Sequence, residues 1–280
     1  VRTNGISPCY NAGMPSELVF LKLGGSLITD KSRARCPRAE VIRRLAEEIA
    51  QARSEAPGLR LVLGHGSGSF GHVEAEKYGT AGGVKTAEAW IGFAAVWAAA
   101  DELNRLVMDA LADAGVPSIR IAPSACAVLE NGQLKEMPSE PVRLALEAGL
   151  VPVVYGDAVF DRARGGGIAS TEMVFSSLAA VLHPQRILLA GIEPGVFADY
   201  PARNTLLPRI QASAWEALGR NLEGSEHTDV TGGMFSKVNT MLACIRRAEA
   251  LEALVFSGGV GGNVRRALLG GDVEGTRLIK

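Results

Sequence analysis

Leu59-Arg60-Leu61-Val62-Leu63-Gly64-His65-Gly66-Ser67-Gly68-Ser69-Phe70-Gly71-His72 is an apolar run that ends in small residues. Such a run predicts a buried strand emptying into a turn, where backbone N–H groups can close on an anion. With four glycines and two serines between Gly64 and His72, little side chain obstructs a ligand's approach to the main chain. The expected feature is a phosphate or carboxylate cradle. Taken alone, the run is also compatible with a tight loop that holds no ligand, the less favoured reading.

Working outward, Leu18 to Leu23 is a second apolar run, turned by Gly24-Gly25-Ser26. Between the two runs, Ala39 to Ala56 carries Val41, Leu45, Ile49 and Ala52 at helical spacing and is stopped by Pro57-Gly58. Downstream, Thr86 to Ala114 predicts a long helix with Trp90, Phe93, Val96, Trp97, Ala100 and Leu103 close together on its surface. Further strands are expected at Ile119 to Ala122, Val151 to Tyr155, Arg186 to Ala190 and Leu254 to Ser257, with helices at Ser139 to Ala148, Ser170 to Leu182, Val238 to Ala250 and Asn263 to Leu269. Gly165-Gly166-Gly167 is read as a hairpin turn, Gly191 to Pro201 as a nucleotide-sized loop, and Gly275 to Ile279 as a terminal edge strand. Alternating strands and helices predict a parallel sheet, with ligands at the carboxyl ends of its strands.

With 29 Lys and Arg against 30 Asp and Glu, the formal net charge of -1 creates no global field for nucleic acid or an acidic membrane surface. Anion recognition must therefore be local. The 280 residues suffice for one large α/β domain or two modest lobes. Cys9, Cys36, Cys126 and Cys244 lack zinc or redox spacing, no residue is singled out as a metal ligand, and a reducing cytoplasm is expected. No apolar run reaches the roughly 18 residues of a membrane span. Residues 1–16 have no periodicity and are expected to form a disordered leader, with either Val1 or Met14 as the natural start.

Three separated elements combine lysine with glycines. They are Lys22-Leu23-Gly24-Gly25-Ser26 with Lys31 following, the glycine-rich stretch, and Asp229 to Lys237 with Gly232 and Gly233. None is a Walker or Rossmann pattern. In this order, with Tyr155-Gly156-Asp157, they resemble the amino acid kinase superfamily over nearly all of Glu17 to Lys280, and within it the isopentenyl phosphate kinases. Ser69-Phe70-Gly71-His72 and Ile28-Thr29-Asp30-Lys31 carry the narrower likeness.

The resemblance implies an α/β fold, an open αβα sandwich with a mainly parallel central sheet. It would form one domain over 17–280, with an acceptor lobe at about 17–182 and an ATP lobe at about 183–280. It implies transfer of the ATP γ-phosphoryl group to isopentenyl phosphate in isoprenoid biosynthesis, with Mg2+, in a homodimer. Lys22 would bridge the transferring group, Lys31 would support developing charge, and His72 would donate to the acceptor phosphate. Gly66, Ser67, Gly156 and Thr171 would contact acceptor. Gly24, Gly25, Ser26, Gly68, Gly195, Gly233 and Lys237 would contact ATP. His65 would brace its loop, and Asp157 would cap the loop that follows it. Trp90, Phe93, Val96 and Trp97 would wall the five-carbon tail, although such a stripe is more often core or a dimer face.

Three positions depart from the family pattern. Ser67 stands where a third consecutive glycine is usual, which requires backbone dihedrals that suit a Cβ. Ser170-Thr171-Glu172-Met173 replaces Ser-Gly-Asp-Asp, and Ile192-Glu193-Pro194-Gly195 replaces Asp-Val-Asp-Gly. Two other readings follow: a phosphonate kinase resembling fosfomycin kinase, and a nucleotide-binding regulatory module that has lost catalysis.

Overall fold

A computed structural model describes residues 17–199, 202–215, 234–248 and 250–280. The expected leader and Gly233 lie outside them. The centre of the fold is Leu18–Leu23 (β1), whose six residues are all buried. It pairs in parallel with Arg60–His65 (β2) on one side and Arg186–Gly191 (β9) on the other. Beyond β2 lie Val151–Tyr155 (β6) and Ser118–Arg120 (β3), both parallel. Beyond β9 lie Glu252–Ser257 (β13), parallel, then Gly275–Ile279 (β14), antiparallel, and Arg209–Gln211 (β12) at the edge. The expected terminal edge strand β14 is thus an inner strand, because β12 covers its free side. Val196–Phe197 (β10) and Leu206–Leu207 (β11) form a short antiparallel ribbon, tied to β14 where Val196 N donates to Thr276 Oγ1 at 2.8 Å.

Strand residues alternate between faces, and each face has its own core. Phe20, Val62, Val154, Leu189 and Val255 pack under the helices Glu140–Glu147 (α6), Thr171–Leu182 (α7) and Ser236–Arg247 (α8). Val19, Leu21, Leu63, Val153 and Phe256 pack under Ala39–Glu55 (α2), Ala87–Asp113 (α4) and Asn263–Leu268 (α9). Burial on both faces explains why these strands are continuous apolar runs. The result is the expected αβα sandwich with a mainly parallel sheet.

Two short helices start where β1 and β2 end: Gly25–Ile28 (α1) and Gly68–Tyr78 (α3). The sequence alone predicts only a loop at the second position. Its glycines and serines mask a helical turn whose hydrophobic pattern is weak, so Phe70, Gly71 and His72 lie on a helix rather than in a loop.

A smaller four-stranded sheet holds Val128–Glu130 (β4), Gln133–Glu136 (β5), Asp157–Asp161 (β7) and Gly165–Ala169 (β8). Gly165 to Gly167 are therefore strand residues, and the turn lies just before them. The Asp161 carboxylate makes that turn by accepting from Ala163 N and Arg164 N, each at 2.9 Å. The glycines serve close approach instead: a Cβ on Gly165 would lie 2.0 Å from the Val84 carbonyl oxygen, and one on Gly166 would lie 2.8 Å from the Phe93 ring.

Candidate active site

The two glycine turns meet backbone to backbone at the carboxyl ends of β1 and β2. A Cβ on Gly25 would lie 2.5 Å from Gly68 N, and one on Gly66 would lie 2.9 Å from Gly25 N. Gly68 has φ +50, and its Cβ would sit 2.2 Å from Thr29 Oγ1. Thr29 fills that corner: its hydroxyl donates to Gly25 O at 2.8 Å and accepts from Ser69 N at 2.9 Å, joining α1 to α3. Thr29 went unassigned in the sequence, where a threonine after an apolar pair carries no signal of this contact. Ser67, by contrast, has φ -77 and ψ -10, an ordinary conformation for a side chain, so the departure from glycine is accommodated.

A cleft of about 660 Å3 opens over this junction. Lys22, Lys31, His72 and Lys237 all line it, together with Gly66, Ser67, Gly68, Gly156 and Thr171. Gly156 N and Thr171 Oγ1 both donate to the His65 carbonyl, at 3.1 and 2.7 Å, tying β6 and α7 to the end of β2. Lys31 lies on an exposed strap whose later part is pinned to α3: Arg35 N donates to Ser69 O at 3.2 Å, and the Arg35 guanidinium pairs with Glu74 and Glu102.

The electrostatics are those of a crowded cationic site. Lys22 is buried and ion-paired with Glu172, which occupies the second position of α7. Burial alone would raise the Glu172 pKa, but the charge and hydrogen bond of Lys22, with Lys237 adding, hold it below the usual carboxylate range. Lys237 is drawn down to about 8, first by burial and then by the charges of Lys22 and Lys31. Partial enclosure lowers the His72 pKa, and Lys31, Lys237 and Lys22 lower it further. With three lysines against Glu172 and Glu76 on its lining, the site is short of anions. Phosphate oxygens would relieve mutual repulsion among its cations, and the first N–H groups of α1 and α3 have no intrahelical acceptor.

Other assigned residues lie elsewhere. Gly24 binds Ala190 O through its N–H at 2.8 Å, and Gly24, Gly25 and Ser26 abut the cleft wall rather than form it. Gly195 is buried against β14, where a Cβ would lie 2.5 Å from Thr276 Oγ1; its smallness has a packing reason. Asp157 accepts from Ser124 N at 2.9 Å and so caps Pro123–Cys126 (α5). Its Oδ1 also accepts from Ala158 N at 2.8 Å, so Asp157 braces both that remote turn and the residue directly after it. The aromatic wall expected from α4 does not face the cleft. Phe93 and Val96 are buried with Val84 and Ala158, Trp90 packs on Phe93, and Trp97 is 44% exposed. Val73 and Ile168 form the apolar part of the cleft wall, and Ile168 also packs against the Phe93 cluster.

An open, mostly parallel sheet with paired glycine turns and a lysine-rich cleft at its strand ends defines a protein built to hold phosphoryl groups. The chain belongs to the amino acid kinase family, whose model matches residues 17–257. It is 33% identical over 273 residues to the isopentenyl phosphate kinase of Methanothermobacter thermautotrophicus, covering 93% of this chain and 98% of that one. The enzyme of the same name from Methanocaldococcus jannaschii is 32% identical over 267 residues, covering 93% of this chain and 98% of that one. A solved isopentenyl phosphate kinase structure superimposes with a TM-score of 0.79 at 31% identity, covering 93% of this chain and 99% of that one.

Proposed function

We infer that the chain is an ATP-dependent kinase that transfers the γ-phosphoryl group to isopentenyl phosphate, giving isopentenyl diphosphate and ADP. The observation that carries this reading is the convergence of Lys22, Lys31, Lys237 and His72 on one cleft that the Gly66-Ser67-Gly68 turn also lines. Sequence likeness to isopentenyl phosphate kinases along almost the whole chain supports the acceptor. The same convergence disfavours a catalytically lapsed module.

Phosphoryl transfer through a loose transition state needs alignment and charge neutralisation more than covalent help. A phosphate acceptor is already an anionic nucleophile near neutral pH, so no base has to deprotonate it. Two mutually repelling anions must instead be held in line. In this reading Lys22 meets the transferring group, with Glu172 fixing its ammonium. Lys237 meets the outer phosphates of ATP, Lys31 supports charge developing across the cleft mouth, and His72 donates to the acceptor phosphate. Ser67 and Gly68 offer N–H groups at the junction. The acceptor would lie over the part formed by residues 17–182, which supplies Gly66, Ser67, His72 and Gly156. The nucleotide would lie over residues 183–280, which supply Lys237. Val73 and Ile168 would take the start of the hydrocarbon tail.

Among the described residues no group of three His, Cys, Asp or Glu side chains is placed to hold a metal ion, and Glu172 is engaged by Lys22. The donor set does not fit a magnesium ion held by the protein alone. Mg2+ would enter on the nucleotide's phosphates. No described helix is long and apolar enough to cross a membrane. A homodimer and a cytoplasmic location are proposed from the family resemblance.

The test is a steady-state assay with ATP, Mg2+ and, in turn, isopentenyl phosphate, fosfomycin and acetylglutamate. Turnover is expected with isopentenyl phosphate. Preferential turnover of fosfomycin, or none of any acceptor, would reject the assignment.

A further inference from the structure

His65 ends β2 and is fully buried, so its ring touches no ligand. We propose that His65 is a positioning residue: its ring holds the Gly66 carbonyl so that the next N–H, that of Ser67, faces the phosphoryl groups in the cleft. This rests on the kinase reading above.

His65 Nδ1 lies 3.1 Å from Gly66 O, and Nε2 lies 3.0 Å from Asn104 Nδ2. A carbonyl only accepts, so Nδ1 carries the hydrogen; Nε2 then accepts from the Asn104 amide. One neutral tautomer satisfies both contacts. Burial favours it too, drawing the ring's pKa down to about 4. Tyr155 holds the ring plane from the side, stacked at 5.3 Å and 6°.

The held group matters because of peptide geometry. In a trans peptide the carbonyl and the following N–H point in opposite directions. The Gly66 N–H is already committed to Leu23 O at 3.0 Å. With the Gly66 carbonyl drawn back to His65, the plane of the Gly66–Ser67 peptide is set, and Ser67 N–H is aimed away from the ring. Ser67 lines the cleft, and its N–H has no partner among the described residues.

The arrangement costs stability. Asn104 Oδ1 and Tyr155 OH, on the two side chains that hold the ring, are buried without hydrogen-bond partners among the described residues. An apolar side chain at position 65 would remove the need for Asn104 beneath it. It would also leave the Gly66–Ser67 peptide free to rotate, and the orientation of a donor toward developing charge is what a transition state rewards.

Two variants separate the ring nitrogens. The amide nitrogen of His65→Asn falls near the Nδ1 position and can still bind Gly66 O; that of His65→Gln falls near Nε2 and cannot. Both lose the stacked ring, so both should lower Tm. Per folded enzyme, H65N is expected to keep kcat for isopentenyl phosphate within about threefold of wild type. H65Q should lose about 30-fold or more, with the KM for ATP unchanged in both. Equal kcat in the two variants would overturn the proposal, whether both are active or both impaired. Nitrogen-15 NMR of the wild-type ring supplies a readout without substrate: the Nδ1–H tautomer is expected throughout the range of roughly pH 6 to 8, and an Nε2–H tautomer would overturn the proposal. A wild-type protein that turns over no acceptor would defeat the kinase reading, while the tautomer would still decide the hydrogen bond.

Discussion

Lys22 and Glu172, 150 residues apart in the chain, form a buried ion pair that joins the central strand β1 to the first turn of α7 beneath the cleft. Removing one partner of such a pair strands a buried charge, which costs about 3–5 kcal/mol. Glu172→Gln should therefore lower Tm by on the order of 10 °C for a chain of this size. Saturating ATP should recover part of the loss by giving Lys22 another anion. Calorimetry showing an unchanged Tm would mean that the pair contributes little.

His72 stands among three lysines at the cleft, and partial burial, then their charges, depress its pKa. His72→Ala should reduce kcat for isopentenyl phosphate by on the order of a hundredfold, with little change in the KM for ATP. Equal losses on both substrates would place the ring outside acceptor recognition.

Lys237 titrates near 8 in the free protein, so its charge is present below that value and is lost as pH rises through it. The kcat/KM for ATP should be level on the acid side of pH 8 and fall above it. The fall in kcat should lie at higher pH, because bound phosphates hold the ammonium charged. In Lys237→Arg the alkaline fall should disappear, since a guanidinium keeps its proton. An alkaline limb that stays in place in that variant would assign the titration to another group.

Ser67 and Gly68 should respond oppositely to substitution. Ser67→Gly keeps the N–H and should leave kcat within about threefold. Gly68→Ala forces a Cβ into Thr29 Oγ1 at positive φ and should separate α1 from α3, with losses in both Tm and kcat. A large kcat loss in Ser67→Gly alone would show that the hydroxyl, not the main chain, makes the contact.

Val73 and Ile168, rather than the tryptophans of α4, should govern tail length. Ile168→Ala should raise kcat/KM for longer prenyl phosphates relative to isopentenyl phosphate and leave the KM for ATP unchanged. Trp97→Ala, at a largely exposed position outside the cleft wall, should not alter that ratio. A shift produced by Trp97→Ala alone would return the tail to α4.

The inner strands were legible because each is buried on both faces, which demands mostly apolar residues whatever lies around them. The lysines and the glycine turns were legible as residue types that can meet phosphate, whereas His72 was singled out by the family resemblance. Where the reading failed, a distant segment had overridden the local signal. Gly165 to Gly167 look like a turn but are strand residues thinned to admit Val84 and Phe93. Gly195 looks like a nucleotide loop glycine but makes room for Thr276.

By itself, then, the sequence determined the layered α/β class, the positions of its buried strands along the chain and the chemical character of the site, because burial period and residue type are local properties. Tertiary structure decided which residues share the cleft. It paired Glu172 with Lys22, seated Thr29 between two helices, and turned Trp90, Phe93, Val96 and Trp97 away from the cleft in favour of Val73 and Ile168. Those outcomes depend on how close one backbone comes to another across the sheet ends, a distance that no local pattern encodes.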